Sequence, residues 1–328
     1  MSSFAPPLSV VADIGGTNTR VALARGVELQ PGSLRHFRNA GRLGLESILA
    51  DYLREADAPA PDLCCVAVAG PVQDGRALMT NLDWRMSETT LAAATGAGRA
   101  VLLNDLQAQG HALGHVAPER IRVVVDGPVR AGAAILVVGL GTGVNAAPVH
   151  GAGPARVVLP SECGHVSLPV TNAEELALLR HIESLPAEPG RTRRASVEEA
   201  LSGRGLGHLH GFLAARDGGH ALDDSHAIIH ALATGDERAG AAVALYVRIL
   251  GQVLGDLALV HLPFGGIFLI GGMARAVAPW LDEFGLTARF RAPRWIDMLE
   301  HAFRVSVIED DNAALTGCAA YVARTGPG

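Results

Sequence analysis

Residue types that handle phosphate groups gather near the amino terminus of the chain. The turn Gly15-Gly16-Thr17-Asn18 follows Asp13 closely and is flanked by two apolar runs of strand character. Glycine and asparagine tolerate positive φ, so this turn predicts a β-hairpin that exposes backbone N–H groups and hydroxyls. Such amides can cradle phosphate oxygens, and the Asp13 carboxylate can hold Mg²⁺ beside them, commonly through water. The alternative is an ordinary hairpin with a glycine turn.

A second turn of the same composition lies in the middle of the chain. Gly141, Thr142 and Gly143 separate an apolar strand predicted over 134–138 from a return strand predicted over 144–149. Two strand–glycine/threonine turn–strand units, one in each half, indicate a duplicated core. A nucleotide between two such domains would have its phosphates bound by both turns.

A carboxylate follows a strand at another point. The apolar run 100–103 predicts a buried strand that ends on Asn104 and Asp105. Ligands gather at the carboxyl ends of strands in α/β sheets, and Asp105 stands at such an end, which makes it a candidate ligand-binding residue. The alternative is that Asp105 is the N-cap of a helix predicted from Gln107 to Leu113.

Glu162 and His165 form a third candidate pair, three residues apart in a loop rich in proline, serine and glycine. A carboxylate and an imidazole there can hydrogen-bond to vicinal hydroxyls. A metal pair and two solvated loop residues are the alternatives.

Two neighbouring glutamates need separate interpretations. Residues 171–174 and 196–199 both match the capping box that starts a helix. Glu199 is then the cap partner of Ser196, which leaves Glu198 free for a ligand. His208 and His210 resemble a metal pair, but no third ligand accompanies them, so positions on a helix surface are favoured.

A glycine pair marks one further site. Gly271 and Gly272 follow an apolar strand predicted over 266–270 and turn the chain into a helix. Such a turn lets a flat ligand approach the backbone.

Strands that alternate with helices define an α/β fold, and 328 residues suffice for about two domains. We expect a small α/β domain over residues 1–115 plus 308–328, because the final helix (311–324) is expected to pack back on it. A large α/β domain is expected over 116–307.

Composition excludes several classes of protein. The net charge is −6 and the sequence contains no lysine. The charge argues against nucleic-acid binding, and the missing lysine excludes the P-loop, protein-kinase chemistry and Schiff bases. The apolar tract 249–273 is interrupted by charges, proline and glycines, so no membrane span is expected. Four cysteines without C-x-x-C spacing, and a start without the features of a signal peptide, fit the cytoplasm.

Taken in order, these motifs resemble the bacterial ATP-dependent glucokinases of the hexokinase/actin-like ATPase superfamily. The resemblance covers nearly the whole chain. Asp13–Asn18 and Gly139–Gly143 resemble the family's two phosphate motifs, and 79–84 is similar to a stretch between them. Phe264–Gly272 resembles its adenosine-side motif.

The resemblance implies the roles of the candidate residues. Asn104, Glu162, His165 and Glu198 match sugar-binding positions, and Asp105 matches the catalytic aspartate. The implied fold is a two-domain actin-like ATPase with a ribonuclease H-like duplicated core and a cleft between a small and a large domain. The implied reaction transfers the γ-phosphoryl group of ATP, with Mg²⁺, to the 6-hydroxyl of glucose. A homodimer is also implied. Another hexose as substrate, a non-catalytic sugar sensor and an actin-like filament protein are the competing hypotheses.

Four positions depart from the family pattern. Ser161 and Cys163 stand where the family more often has glycine, Asn145 replaces a glycine, and Arg204 replaces a proline. These departures bear on sugar preference and not on the class of reaction. The cysteine-rich zinc motif and DNA-binding extension of the related repressor/kinase group are not found in the sequence.

Overall fold

The computed structural model describes residues 6–79, 82–187, 192–295 and 297–326. Thr80 and Asn81, in the predicted motif 79–84, therefore lie outside the described residues. The strands are β1 Leu8–Ile14, β2 Asn18–Arg25, β3 Glu28–Leu29, β4 Arg35–Arg38, β5 Leu63–Val68, β6 Val72–Gln73, β7 Arg76–Met79, β8 Trp84–Ser87, β9 Arg99–Asn104, β10 Ile121–Val125, β11 Ile135–Leu140, β12 Val144–His150, β13 Val157–Val158, β14 Ile267–Ile270 and β15 Val305–Ile308. The helices are α1 Leu45–Glu55, α2 Glu88–Thr95, α3 Asp105–Ala112, α4 Ala173–Ser184, α5 Val197–Leu201, α6 Gly203–Asp217, α7 Ser225–Ala233, α8 Glu237–His261, α9 Gly272–Val277, α10 Leu286–Phe290 and α11 Ala313–Thr325.

The chain divides into two compact units. Unit 1 comprises the described residues up to Pro118, the segment Ala152–Pro160 and the described residues from Asp310 onward. Unit 2 comprises Glu119–Gly151 and Ser161–Glu309. The expected boundaries did not include the segment Ala152–Pro160 in the first domain.

The main sheet of unit 1 has strand order β3-β2-β1-β5-β9, and β4 also pairs with β2. Side chains alternate between the faces of a strand. In β1, Val10 and Ala12 accordingly join a core that includes residues of α1 and α2, whereas Val11 joins a core that includes residues of α3 and α11. Helices thus cover both faces of the sheet.

Parallel pairing brings three strand ends of unit 1 together. Ile14 of β1 pairs with Val68 of β5, and Val68 pairs with Asn104 of β9. The antiparallel hairpin of β1 and β2 was predicted from its glycine turn and is confirmed. The first glycine turn and the start of α3 therefore lie at the same edge of this sheet.

Helix α11 holds α3 against this sheet through a close backbone approach. A Cβ on Gly317 would overlap the carbonyl oxygen of Ala108, so only glycine allows the two helices to come this near. Arg156, in the segment Ala152–Pro160, donates hydrogen bonds to the carbonyls of Gly110 and Leu113 near the carboxyl end of α3. Unpaired carbonyls at a helix end are thereby satisfied.

Unit 2 contains a sheet in which the order β10-β15-β14-β11-β12 places two parallel strands beside the hairpin β11–β12. This second hairpin was also predicted and is confirmed. Residues of β11, β14 and β15 share one hydrophobic core with helices of this unit.

Among the described residues, α8 is the one helix long and apolar enough to cross a membrane. About two-thirds of its apolar window (67%) is buried inside the structure. Val243, Tyr246 and Leu250 are fully buried in the core of unit 2. These contacts are those of a core helix.

Candidate active site

Asn39 holds the first glycine turn in shape. Its amide Nδ2 donates to the carbonyl of Gly15 at 2.8 Å, and its backbone N donates to the carbonyl of Thr17 at 2.9 Å. Its Oδ1 accepts from the Thr19 hydroxyl at 2.7 Å, and the residue is only 2% exposed. The first two of these bonds satisfy the carbonyls of Gly15 and Thr17. Gly16, Thr17 and Asn18 are exposed.

Asp13 lies beside this turn as part of an ion pair. Its Oδ2 is 2.7 Å from the Arg20 guanidinium on the opposite strand of the hairpin, and Arg20 also donates to the carbonyl of Asp311. Burial raises the pKa of Asp13, and the positive charge and hydrogen bond of Arg20 act in the opposite direction. The carboxylate is thus fixed in orientation by a cation.

Asn104 and Asp105 occupy the end of β9 and the start of α3. Asn104 is the N-cap: its Oδ1 accepts from the backbone N of Leu106 at 2.9 Å, and its Nδ2 donates to the carbonyl of Gly70 at 3.0 Å. The alternative in which Asp105 capped the helix is wrong, because Asp105 is the first helical residue. The helix also begins two residues before its predicted start at Gln107, since Asn104 and Gln107 form the capping box.

The second glycine turn is bonded to Glu198. Its own closure is the bond from the Gly141 N–H to the Gly143 carbonyl at 3.0 Å. Glu198 Oε2 accepts from the backbone N of Val144 at 3.0 Å. A Cβ on Gly143 would lie 2.8 Å from the same oxygen, so glycine is needed for this approach. Thr142 is exposed at the tip of the turn.

The two glycine turns of unit 2 share one sheet edge. Gly139 of β11 pairs with Ile270 of β14, so the turn after each strand emerges on the same side. Gly271 has φ +97°, and a Cβ there would overlap the carbonyl oxygen of Leu140. Gly272 is exposed at the start of α9.

Glu162 and His165 lie on a loop next to the start of β12. Glu162 Oε2 and His165 Nε2 are 3.9 Å apart, and the side chains are 70% and 67% exposed. The loop packs tightly at Gly164, where a Cβ would overlap the Val144 carbonyl. The backbone N of Val144 also donates to Glu198. Glu198 and the loop that carries Glu162 and His165 therefore both lie against Val144, the first residue of β12.

The predicted cap role of Glu199 is wrong. Ser196 makes no side-chain cap bond, and Glu199 instead bonds the guanidinium groups of Arg193 and Arg204. The Nδ1 atom of His208 lies 3.4 Å from Glu199 Oε2. Glu198 therefore remains the glutamate that faces the second glycine turn.

The capping box expected over 171–174 is shifted by one residue. Asn172 is the N-cap of α4, and the side chain of Glu175 reaches back to Thr171. The surface position favoured for His210 is also wrong, because this residue is buried and its Nδ1 accepts from the backbone N of Leu222.

Within the described ranges, no cluster of three or more His, Cys, Asp or Glu residues could hold a metal ion. The alternative of a metal site at Glu162 and His165, or at the two histidines of α6, therefore gains no support. Among the metal-ligand candidates, Asp13 is a single carboxylate beside the first glycine turn.

Three residues in these sites had no role assigned from sequence. Arg20 could have been found from its cross-strand position opposite Asp13. Asn145 was noted only as a departure, and Asn39 gave no signal, because its contact with Gly15 spans 24 residues.

The fold and the sites define a class, the sugar kinases with an actin-like ATPase fold. A crystal structure of glucokinase from an Antarctic psychrotroph aligns with TM-score 0.83 and 30% identity, covering 96% of this chain and 98% of that one. A ROK-family glucokinase from Streptomyces griseus, in complex with glucose and AMPPNP, aligns with TM-score 0.66 and 20% identity over 97% of this chain and 100% of that one, which shows the fold alone.

Sequence comparison gives the family. The glucokinase family profile matches residues 10–325. Glucokinase from Caulobacter vibrioides is 33% identical over 315 residues, which cover 95% of this chain and 94% of that protein. The chain belongs to the glucokinase family. The predicted family, the actin-like ATPase fold and the assignment to ATP-dependent hexose kinases are therefore confirmed.

Proposed function

We propose that this chain transfers the γ-phosphoryl group of ATP to the 6-hydroxyl of D-glucose, giving glucose 6-phosphate and ADP. One observation carries the proposal. In unit 1, the Asp13 carboxylate with its glycine turn and the Asp105 carboxylate at the start of α3 lie at the same edge of one sheet. A phosphate-binding turn and a proton acceptor at one sheet edge are the two groups that phosphoryl transfer to a hydroxyl requires.

The catalytic role in this proposal belongs to Asp105. Phosphoryl transfer depends mainly on positioning and on neutralising charge, so the base only has to accept the hydroxyl proton as the new bond forms. The first turn of a helix favours a negative charge through the helix dipole. Asp105 is the first residue of α3, so its carboxylate lies at this end of the helix.

The sugar is bound by hydrogen bonds in this proposal. Asn104 uses one amide hydrogen internally, which leaves the other for a sugar hydroxyl. Glu162 and His165 are exposed and close together, as a pair of vicinal hydroxyls requires. Glu198 Oε2 is bonded to the Val144 amide, and its Oε1, which lies 3.6 Å from the Arg204 guanidinium, is the oxygen proposed for the sugar.

The phosphates are bound by the glycine turns. The exposed Gly16, Thr17 and Asn18 present amides and a hydroxyl on unit 1. The exposed Thr142 and Gly143 do so on unit 2, where Gly141 closes the turn with its own amide. Gly271 and Gly272 would contact the adenosine, because a glycine pair leaves the backbone uncovered.

Mg²⁺ fits the residues near Asp13. Mg²⁺ on a nucleotide is held by one or two carboxylates together with phosphates and water, and Asp13 offers one oriented carboxylate. The ion would neutralise charge on the β- and γ-phosphates. The Arg20 guanidinium favours the ionised form of Asp13 and partly offsets burial, which raises the pKa of this carboxyl.

A coupled assay of the purified chain with ATP and a panel of sugars tests the proposed function. Sites that hydrogen-bond a hydroxyl reject analogues lacking it by up to about 10⁴-fold, so glucose should be strongly preferred over galactose, fructose and N-acetylglucosamine. Equal rates on all four sugars would contradict the preference, and no turnover of any sugar would indicate a sensor.

We further propose a cytoplasmic homodimer. The buried thiols of Cys64, Cys65 and Cys318 are unpaired, in keeping with a reducing compartment. The dimer rests on the family resemblance alone, and light scattering of the purified chain tests it.

A further inference from the structure

Asn145 joins the second glycine turn to the loop that carries Glu162. It is the second residue of β12, two positions after Gly143. Its Oδ1 accepts from the backbone N of Cys163 at 3.0 Å, and its Nδ2 donates to Glu162 Oε2 at 3.1 Å. The same Nδ2 also donates to the carbonyl of Ser161.

The hydrogen-bonding capacity of this amide is fully used. An asparagine side chain has two N–H donors, which here go to Ser161 and Glu162. Its oxygen accepts from Cys163 and from the backbone N of Ala146 at 2.9 Å, and the Ser161 hydroxyl lies 3.1 Å away. Asn145, Ser161 and Cys163, three of the four departures from the family pattern, therefore belong to one network.

The carboxylate of Glu162 depends on this network for its position. Its side chain is 70% exposed, and its other polar neighbour is His165 at 3.9 Å, beyond hydrogen-bond distance. A long exposed side chain loses rotamer entropy when it is fixed, at a cost of up to about 2 kcal/mol, so an unassisted Glu162 would be distributed over several rotamers. The bond from Asn145 selects one of them before any ligand arrives.

We infer that Asn145 is a positioning residue that fixes the Glu162 carboxylate for a sugar hydroxyl. The inference rests on the proposed role of Glu162 in glucose binding. Asn145 itself touches no reacting atom, so it acts on sugar affinity and not on the chemical step. A glycine at position 145 has no side chain to make these bonds, whereas Asn145 bonds the Glu162 carboxylate directly.

Two substitutions separate positioning from anchoring of the loop. Asn145→Gly removes the whole network. Asn145→Asp is nearly the same shape and keeps the oxygen that accepts from Cys163, but it replaces the donor to Glu162 by a second carboxylate oxygen. The loop then keeps the bond from Cys163 but loses the one to the Ser161 carbonyl, and the Glu162 carboxylate is repelled.

Steady-state kinetics with glucose and ATP test the inference. Hydrogen bonds to charged groups contribute about 1.5–3 kcal/mol, so Asn145→Gly should raise KM for glucose by about tenfold or more, with little change in kcat or in KM for ATP. For Asn145→Asp the rise in KM for glucose should be at least as large, because the donor to Glu162 is replaced by a like charge.

A matched control and a double variant complete the experiment. Asn172→Gly removes an N-cap of α4 in the same unit and should leave KM for glucose unchanged. In a Glu162→Ala background, Asn145→Gly should raise KM much less than in the wild type, because the group that Asn145 positions is absent.

The inference is overturned if a folded Asn145→Asp variant has wild-type KM for glucose, or if the effects of the double variant are additive. Both results would leave the proposed function intact. A wild-type chain that turns over no sugar would instead refute the proposed function, and the inference would fall with it.

Discussion

The proposed role of Asp105 as general base is what separates an enzyme from a sugar-binding sensor. Asn104, and not Asp105, supplies the side-chain cap of α3. Asp105 Oδ1 lies 2.8 Å from the backbone N of Leu106, a bond that an asparagine oxygen can also make. A change at Asp105 can therefore remove the charge without removing the cap.

We predict that Asp105→Asn lowers kcat by about 10²–10⁴-fold, the usual contribution of a positioned general base. Stability should fall only slightly, because one first-turn charge contributes about 0.3–1 kcal/mol through the helix dipole. Steady-state kinetics beside calorimetric glucose binding on the same preparation measure both effects.

Glu237→Gln serves as the control, since it removes a first-turn charge from α8 in unit 2. It should cost similar stability and no activity. The base assignment is wrong if Asp105→Asn retains more than about a tenth of the wild-type kcat.

Asn39 supports the first glycine turn, as Asn145 supports the loop that carries Glu162. Asn39→Ala leaves the buried Thr19 hydroxyl and the Gly15 carbonyl without this partner, and each such loss costs about 1–3 kcal/mol. We predict a lower melting temperature and a raised KM for ATP, with KM for glucose little changed. Kinetics in which each substrate is varied in turn give the comparison.

Asn312→Ala is a suitable control, because Asn312 precedes α11 without a side-chain cap bond. An Asn39→Ala variant that is folded and has an unchanged KM for ATP would show that the turn does not depend on Asn39.

At the scale of elements, the contact between α3 and α11 makes unit 1 sensitive to acid. His111 of α3 is buried, and its ring packs edge-on against Tyr321 of α11 with centroids 4.9 Å apart. Burial lowers the pKa of His111 to about 4, and the charges of Arg324 and Arg156 add to this effect. The unfolded chain binds a proton at His111 near the ordinary pKa of about 6.5, whereas the folded chain does not.

The stability that depends on a neutral His111 is therefore complete above about pH 6.5 and is lost as the pH falls towards about 4. We predict that His111→Phe, which keeps a ring against Tyr321, reduces the fall in melting temperature between about pH 7 and pH 5. Thermal unfolding followed by circular dichroism at several pH values measures it.

His301→Phe is the comparison, since that side chain is 89% exposed. It should retain the pH dependence of the wild type. Equal slopes for the wild type and His111→Phe would show that other groups cause the acid sensitivity.

Elements with short-range signals were predictable from sequence. Both glycine-turn hairpins follow from apolar runs bounded by glycine, and the buried strand β9 follows from the apolar run 100–103. The start of α3 was misplaced because Asn104 was interpreted only as a ligand. The cap role of Glu199 failed because a sequence pattern cannot show that Arg193 and Arg204 lie nearby.

At the scale of the whole molecule, two halves with similar turns predicted two α/β units, each with its own sheet. Contacts between segments distant in sequence were not predictable. Residues 152–160 join unit 1 through Arg156, which bonds carbonyls more than 40 positions earlier in the chain. The positions of Asn39 and Asn145 relative to their turns likewise exist only in the folded chain.

The overlap that any Cβ on Gly164 would make with the Val144 carbonyl has a consequence for directed evolution. A library meant to change the sugar that this chain accepts should keep Gly164 fixed, because any side chain there would force the loop and Val144, which bonds Glu198, apart. Asn145 and Ser161 should be varied instead. Asn145 contacts the loop from β12, and the Ser161 hydroxyl contacts Asn145 from the loop. Saturating these two positions together samples new orientations of Glu162 while the glycine turn beside it keeps its backbone.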